Sequence, residues 1–306
     1  MNKKVFMTLI LCFVLITAGC SSGLFEDEVL RIATTTSLDN SGLLALLVPD
    51  FEYEYEVEVE IIAVGTGQAL ALGENGDVDL VLVHAPELEI AFVDSGYGTE
   101  RHVIMYNDFI ILGPESDPAN ISNLPLSADA ITKISESNSI FVSRGDNSGT
   151  HFKENQIWAD AGLDPDQNGE WYNSVGQGMG ASLVIANEKG GYILSDRGTY
   201  LSQKENLPNL VVLFGGDSSD KNPDLLLQNI YSVIPINPEK FENVNADLSD
   251  LFVEWISSIE IQNQIGEFGV SEFGIPLFYS NSTEWISSNS LYIEPQDNLK
   301  QENNSG

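Results

Sequence analysis

The 306-residue sequence predicts an α/β protein with two lobes, each built on an open sheet with helices on both faces. Strand-like and helix-like runs alternate along most of the chain. The turn-rich segment 113–118 divides this alternation into two sets. Two strand-like runs, 105–112 and 210–214, bracket the second set. We expect both runs to cross between the lobes, so that the first lobe is discontinuous and a cleft separates the two.

The first set of elements follows a short polar segment. Short apolar runs predict strands, and longer runs with apolar residues three or four positions apart predict helices. Because helices separate the strands, we expect a parallel type of sheet with helices on both faces. In chain order we predict strand 29–33, helix 41–50, strand 57–64, helix 67–73, strand 78–83, helix 86–95 and strand 101–112.

The second set continues the pattern with longer polar interruptions. A turn-rich stretch occupies residues 162–178. The polar end of the chain, 287–306, is expected to be disordered. In chain order we predict helix 122–136, strand 139–143, helices 150–161 and 179–189, strand 191–194, helix 196–203, strands 211–214 and 229–236, and helices 247–257 and 259–267.

The beginning of the chain predicts an export signal. Lys3 and Lys4 precede an apolar stretch, and small residues precede Cys20. The apolar stretch has about a dozen residues, fewer than the about 20 that span a membrane. The segment resembles a bacterial lipoprotein signal, which implies removal of residues 1–19 and a lipid on Cys20. We therefore expect an extracytoplasmic protein anchored to the cell membrane through the tether 20–28.

Composition restricts the classes of function. Cys12 and Cys20 are the only cysteines, so we expect the folded part to contain no disulfide and no thiolate metal site. We expect no other metal centre and no cofactor. The formal charge is −33, and loss of Lys3 and Lys4 would lower it further. This excess of negative charge argues against nucleic acid as a partner.

The stretch Arg-Gly-Asp-Asn-Ser-Gly-Thr, from Arg144 to Thr150, has the pattern of an oxyanion-binding loop. It joins a predicted strand to a predicted helix, where the first N–H groups of the helix are unpaired. Arg144 adds a fork of N–H donors, and Ser148, Gly149 and Thr150 add hydroxyl and backbone donors. We expect Asp146 to face away or to accept from local backbone N–H groups. An ordinary helix cap is the alternative.

Two further junctions carry hydroxyl groups and glycine. Four consecutive hydroxyl residues follow strand 29–33, and a Gly-Thr-Gly sequence follows strand 57–64. Because strands of open α/β sheets present their carboxyl ends at one edge, we expect all three junctions to share one ligand. The negative net charge does not forbid an anion, since salt screens exposed charges beyond about 8 Å. The candidate contacts from these two junctions are Thr35, Thr36, Ser37, Thr66 and Gly67.

Other polar residues are weaker candidates. His84 follows strand 78–83, and we interpret it as a satisfied strand-end residue, with a ligand donor as the alternative. Arg101 and Arg197 are the next candidates for the anion after Arg144. For Arg197 we expect a local pair with the neighbouring Asp196.

Several motifs occur together and in one order. Together they resemble the tungstate-binding proteins of ABC importers, over about residues 30–235. The resemblance implies a two-lobed periplasmic-binding-protein fold of type II, one oxyanion in the cleft, and delivery to a membrane permease with its ATPase. Phosphate-binding relatives share Arg-x-x-x-Ser-Gly-Thr, which implies contacts from Arg144, Ser148, Gly149 and Thr150. The motifs that carry the resemblance lie at 34–37 with 41–44, 64–70, 106–109, 143–151 and 176–181.

The two bracketing runs suggest the limits of the lobes, and the chemistry of the loops narrows the choice of anion. We expect lobe one over 29–109 and 214–286 and lobe two over 110–213, closing by hinge motion over the ligand. Tungstate, molybdate and sulfate are deprotonated dianions that need only donors, whereas hydrogen phosphate benefits from an acceptor for its proton. The loops offer mainly donors. Tungstate is preferred on the resemblance alone, with molybdate or phosphate as the alternative.

Two further alternatives belong to other classes of protein. A secreted hydrolase would use Ser148 as its nucleophile, and an adhesin would use the tripeptide that begins at Arg144. None of the three histidines occurs in a motif that would supply a base to Ser148, so we expect no catalytic residue and no enzyme.

Overall fold

The computed structural model describes residues 28–146, 148–165 and 169–290. The predicted signal and the tether up to residue 27 lie outside the described residues. The strands are β1 Val29–Thr35, β2 Glu58–Val64, β3 Leu80–Val83, β4 His102–Gly113, β5 Phe141–Ser143, β6 Tyr172–Ser174, β7 Tyr192–Asp196, β8 Val211–Phe214, β9 Gln228–Pro235 and β10 Tyr279–Ser280. The helices are α1 Thr36–Asn40, α2 Leu43–Tyr55, α3 Thr66–Asn75, α4 Pro86–Asp94, α5 Ser127–Glu136, α6 Gly149–Asp160, α7 Met179–Lys189, α8 Arg197–Gln203, α9 Ala246–Ser257, α10 Ile259–Glu267, α11 Val270–Phe273 and α12 Thr283–Ser290.

The strands form one long mixed sheet in the order β2-β1-β3-β9-β4-β7-β5-β6, with β8 and β10 also paired to β4. In the first lobe β1 runs parallel to β2 and β3. In the second lobe β5 runs parallel to β6 and β7. The carboxyl ends of β1, β2 and β3 therefore meet at one edge, and helices connect the parallel strands as the alternation predicts.

Strand β4 passes from one lobe to the other. Its first part pairs antiparallel with β9, as far as Asp108 opposite Gln228. From Phe109 onward it pairs with β7, and its last residues pair with β8. The predicted crossing at 105–112 is therefore present. A continuous strand at this point limits the relative motion of the lobes to bending and twisting.

The second crossing differs from the expected one. β8 pairs with the end of β4 and so lies within the second lobe. The chain returns to the first lobe through the segment 215–227, which leads into β9. The expectation that residues 210–214 cross between lobes is wrong by a few residues. Local apolar pattern identified the strand, but only its partner decides the lobe.

Each lobe has apolar cores on both faces of its sheet. In the first lobe, one face packs Phe51 of α2 against Phe252 of α9, and the other packs α3 and α4 on β3 and β9. In the second lobe, Trp158 of α6 packs edge-on against Phe141 of β5. β3 is buried on both faces, which explains its continuous apolar sequence.

The described chain ends in helix α12, which extends to Ser290. The first residues of the expected disordered end, 287–290, are thus helical. The hydroxyl of Ser282 accepts the N–H of Trp285 and caps the start of this helix. Residues 291–306 lie outside the described residues. Among the helices that are described, none combines the length and the apolar character needed to cross a membrane.

Candidate functional site

The junction between β1 and α1 lies between two other strand ends. In the sheet register Thr35 is opposite Val64 of β2, and Thr34 is opposite Leu82 of β3. The β1 junction is thus flanked on one side by the Gly-Thr-Gly turn that starts α3 and on the other by His84. The predicted meeting of hydroxyl-bearing strand ends is present in the first lobe.

The hydroxyl groups at these junctions have different surroundings. Thr35 is buried, and its Oγ1 accepts the N–H of Leu38 at 3.4 Å as the cap of α1. Thr36 and Ser37 are exposed on the first turn. Thr66 is half-buried and Gly67 is exposed at the start of α3. Thr36, Ser37, Thr66 and Gly67 are thus accessible to a ligand, and Thr35 is buried beside them as the cap of α1.

The second lobe contributes the junction between β5 and α6. Ser148 is the N-cap of α6, and its Oγ accepts the N–H of His151 at 3.3 Å. Gly149 and Thr150 follow in the first turn, where backbone N–H groups lack partners within the helix. Gly145 has φ +59°, and a Cβ there would overlap the side chain of Ser174, so this turn requires glycine.

Arg144 is held in place by the loop that it belongs to. Its Nη1 donates to Thr150 Oγ1 at 3.3 Å, and its Nη2 donates to Asp146 Oδ2 at 2.5 Å. Asp146 Oδ1 also accepts the N–H of Ser148 at 3.1 Å. Burial would raise the pKa of Asp146, but hydrogen bonds from Ser148 and the charge of Arg144 lower it below its usual value. The contact with a backbone N–H was predicted, and the pair with Arg144 was not.

The two lobes meet at this point. A Cβ placed on Gly149 would lie 3.5 Å from Cε1 of His84, at the end of β3 in the first lobe. His84 Nε2 in turn lies 3.5 Å from Ser37 Oγ. The first turns of α1 and α6 therefore lie on either side of one imidazole ring. Backbone and hydroxyl donors from both lobes therefore lie close to His84.

His84 is oriented by a chain of buried amides. Its Nδ1 lies 2.8 Å from Asn229 Oδ1, an acceptor, so Nδ1 donates. The amide nitrogen of Asn229 donates to Asn107 at 2.7 Å and to the hydroxyl of Tyr231 at 3.1 Å. The ring also stacks on Tyr231, with centroids 4.6 Å apart. Burial lowers the pKa of His84, and the bond to Asn229 offsets only part of this effect.

The buried carboxyl group of Glu154 is hydrogen-bonded to the Arg144 loop. Glu154, one turn after Thr150 in α6, is 1% exposed. Its Oε1 accepts from the hydroxyl of Tyr172 at 2.8 Å and from the indole N–H of Trp158 at 3.2 Å. The backbone N–H of Arg144 donates to the same carboxyl group. Burial raises the pKa of Glu154 to about 7. The loop is thus attached to the core of the second lobe.

The chain is similar in sequence and structure to known oxyanion receptors. A family model described as a PBP superfamily domain matches residues 25–260. The tungstate-binding protein TupA of Peptoclostridium acidaminophilum is 42% identical over 255 residues, which cover 83% of this chain and 86% of that protein. The chain belongs to the tungstate-binding protein family.

Solved structures of the tungstate-binding family have the same fold. The tungstate-binding protein TupA from Desulfovibrio alaskensis G20 is 46% identical, with a TM-score of 0.77 over 83% of this chain and 99% of that one. A tungstate ABC transporter structure from Geobacter sulfurreducens is 45% identical, with a TM-score of 0.67 over 79% and 99% of the two chains. The predicted two-lobed periplasmic-binding fold of type II is therefore confirmed.

The tungstate-binding family consists of substrate-binding transport proteins and not of enzymes. The hydrolase alternative accordingly fails, and the structure shows why Ser148 attracts attention: its hydroxyl caps α6. Across residues 28–146, 148–165 and 169–290, no group of three or more His, Cys, Asp or Glu side chains is arranged to hold a metal ion.

Arg101 and Arg197, the next candidates for the anion after Arg144, each pair with a buried carboxylate. Arg101 pairs with the buried Glu89 at 2.5 Å. Arg197 pairs with Asp108 of β4 at 2.6 Å. The expected local pair between Arg197 and Asp196 is wrong, because the Asp196 carboxylate caps α8 by accepting the N–H of Thr199.

Sequence reasoning did not identify the residues that orient His84. Asn229 and Asn107 lie on adjacent strands but are far apart along the chain. The available signal was a side-chain amide in each of two otherwise apolar strands, since buried amides need partners. Neither residue belongs to a motif with recognisable spacing.

Proposed function

We propose that this protein captures tungstate outside the cytoplasm for an ABC importer, by closure of its two lobes over the oxyanion. The apposition of α1 and α6 across His84 carries the proposal, because it brings donors from both lobes to one small space. Tungstate is named because relatives over 40% identical are tungstate-binding proteins. The anion would then be passed to a membrane permease and its ATPase.

The proposed contacts come from three junctions. Arg144 supplies the nearby full positive charge, and its Nε is buried without a hydrogen-bond partner among the described residues. An ordered guanidinium with N–H groups to spare is suited to the edge of a tetrahedral anion. The other contacts that we propose are Thr36, Ser37, Thr66, Gly67, Ser148, Gly149 and Thr150, with Thr35 supporting the first turn of α1.

Selection against hydrogen phosphate would follow from the loop chemistry. Asp146 is the carboxylate in the Arg144 loop, and its oxygens already accept from Arg144 and Ser148. Both oxygens of Asp146 are therefore already engaged within the loop. A dianion without protons would meet mainly donors at this loop.

We also propose the attachment and the lobe limits. Cys20 would carry a lipid that anchors the protein to the cell membrane, in line with the signal-like sequence before it. Lobe one would comprise 29–109 and 228–286 and lobe two 110–214, with the return segment 215–227 between them. Membrane fractionation of the wild type and of Cys20→Ala tests the anchor, since the variant should be released from the membrane.

Calorimetric titration with tungstate, molybdate, sulfate and phosphate tests the binding proposal. We expect tight binding of tungstate and weak binding of phosphate. Arg144→Ala should weaken tungstate binding by about 2–4 kcal/mol, because a buried dianion loses its charged partner. Arg144→Lys should recover only part, since an ammonium group lacks the fork.

Arg31→Ala is a matched control for the loss of one positive charge. The Arg31 side chain is 45% exposed and lies 3.6 Å from Glu60 on the surface of the first lobe. Its removal should leave tungstate binding unchanged. Equal affinities of Arg144→Ala and the wild type would exclude the site described here, and tighter binding of phosphate than of tungstate would exclude a tungstate receptor.

A further inference from the structure

We propose that His84 is an additional anion-binding residue, and that capture of the dianion places a second proton on its imidazole, at Nε2. The inference rests on the proposed function and extends it, because it makes uptake of one proton from solution part of oxyanion capture. It depends on the position of the ring between the lobes and on the hydrogen bonds that fix the ring.

The position of His84 between the two lobes favours contact with the anion. The ring lies 3.5 Å from Ser37 Oγ in the first lobe and 3.5 Å from a Cβ position on Gly149 in the second. An anion that accepts from the first turns of both α1 and α6 would therefore lie beside the imidazole. His84 belongs to the first lobe, so the same contact would favour closure.

Hydrogen bonding determines which ring nitrogen faces the anion. Nδ1 donates to the carbonyl of Asn229, and that amide is held in turn by Asn107 and Tyr231. A neutral His84 therefore presents a lone pair on Nε2 towards Ser37. A lone pair repels a dianion, whereas an N–H at the same atom attracts it. Adding a proton at Nε2, with Nδ1 still bonded to Asn229, converts the repulsion into a charge-assisted hydrogen bond.

The charged groups around His84 permit its protonation when an anion binds. Lys153 of α6 disfavours the imidazolium, and Asp196 at the start of α8 favours it. Tyr231 of β9 stacks on the ring, and burial raises the pKa of its hydroxyl, so it remains neutral. Burial lowers the pKa of free His84, so the ring is neutral before the ligand arrives. A dianion in contact would reverse the balance, since an opposite charge within about 4–6 Å favours the charged form.

Calorimetry with sodium tungstate in two buffers of different protonation enthalpy measures the linked proton. Between pH 7 and 8 we expect the full chain to take up close to one proton per tungstate, and its affinity to fall by up to about tenfold per pH unit. His84→Gln should remove both effects and weaken binding. His102→Gln, a substitution at a partly exposed histidine at the start of β4, should keep both.

The variant Glu154→Gln tests whether Glu154, and not His84, takes up the proton when tungstate binds. The pKa of Glu154 is about 7, and its carboxyl group accepts the backbone N–H of Arg144. A dianion bound near Arg144 would therefore also favour protonation of Glu154. Retention of proton uptake in Glu154→Gln supports His84. Loss of uptake in this variant, with uptake retained in His84→Gln, overturns the proposal.

Nitrogen NMR of the imidazole rings gives a test that needs no variant to fold. Tungstate should move the Nε2 signal of His84 to the position of an imidazolium. An unchanged ring, with tungstate bound and no proton taken up, overturns this inference and leaves the proposed function intact. Tight phosphate binding without proton uptake would show Nε2 accepting from the ligand and would also overturn it. Absence of any tungstate binding, by contrast, would reject the proposed function itself.

Discussion

At the scale of single residues, Thr35 and Ser37 carry the same functional group in different surroundings. Thr35 is buried and caps α1, while Ser37 is exposed and faces His84. The sequence predicts ligand contacts at both positions, because a run of hydroxyl residues does not reveal which one points inward. Burial and the cap of α1 distinguish Thr35 from the exposed Ser37.

The two types of hydroxyl predict opposite mutant behaviour. Thr36→Ala or Ser37→Ala should each weaken tungstate binding by about 1–2 kcal/mol with little loss of stability, because a donor to a charged group is lost. Thr35→Ala should lower the free energy of unfolding by about 1 kcal/mol through loss of the cap. Calorimetry and urea unfolding of the three variants check this. Normal binding by both Thr36→Ala and Ser37→Ala would remove these hydroxyls from the site.

Glu154 gives a residue-scale prediction about pH. Burial raises its pKa from 4.5 to about 7, so the folded protein binds the proton more tightly than the unfolded chain does. Its contribution to stability is present below pH 4.5 and is lost as pH rises through about 7. Relative to Glu154→Gln, the wild type should lose roughly 3 kcal/mol of unfolding free energy over this range. Urea unfolding at several pH values measures it, and parallel pH curves for the two proteins would contradict it.

At the scale of elements, a buried ion pair joins the two segments that cross between the lobes. Arg197 at the start of α8 donates to Asp108 of β4 and to the carbonyl groups of Gly215 and Gly216 in the return segment. Ser219 and Asn222 of the same segment donate to Asp108. One arginine thus fixes the spacing of both crossings at the second lobe.

Removal of Asp108 should therefore be costly. Asp108→Ala leaves Arg197 buried without its partner, and we expect a loss of about 3–5 kcal/mol in unfolding free energy. Glu60→Ala breaks the exposed pair with Arg31 and should have little effect. Urea unfolding of both variants provides the comparison. A small and similar change in the two would show that the pair at the crossing contributes nothing to stability.

At the scale of the whole molecule, closure depends on how closely the lobes approach. The contact between Gly149 and His84 leaves space for a methyl group at most, since a Cβ on Gly149 would already be in van der Waals contact. Glycine at the start of α6 thus allows the helix to approach the first lobe. Its φ lies outside the left-handed region, so the backbone accepts other residues there.

Enlarging Gly149 should hold the lobes apart. Gly149→Leu would collide with His84 in the closed form, at a cost of about 1–3 kcal/mol. We expect weaker tungstate binding and a larger radius of gyration in the presence of tungstate, measured by small-angle scattering. Gly149→Ala, which adds only the tolerated methyl group, is the graded control and should close. Full closure and wild-type affinity in Gly149→Leu would show that the lobes do not meet at this contact.

The sequence by itself determined the features that depend on neighbouring residues. Strand and helix alternation follows from apolar periodicity, and α3, β3 and α6 lie within two residues of their predicted limits, whereas α2 extends to Tyr55, beyond its predicted end at residue 50. The loop from Arg144 to Thr150 was located because its donors are consecutive in the chain. Short strands such as β6 and β10 were missed, since runs of two or three residues carry no period.

The tertiary structure decided everything that depends on which distant segments meet. His84 and Asn229 are 145 positions apart, and no local pattern links them. Arg197 pairs with Asp108, 89 positions away, because the sheet places β4 beside β7 while Asp196 caps its own helix. Residues near in sequence fix secondary structure through local sterics and hydrogen bonds. Partners across the cleft are fixed only when strand order brings the two lobes together.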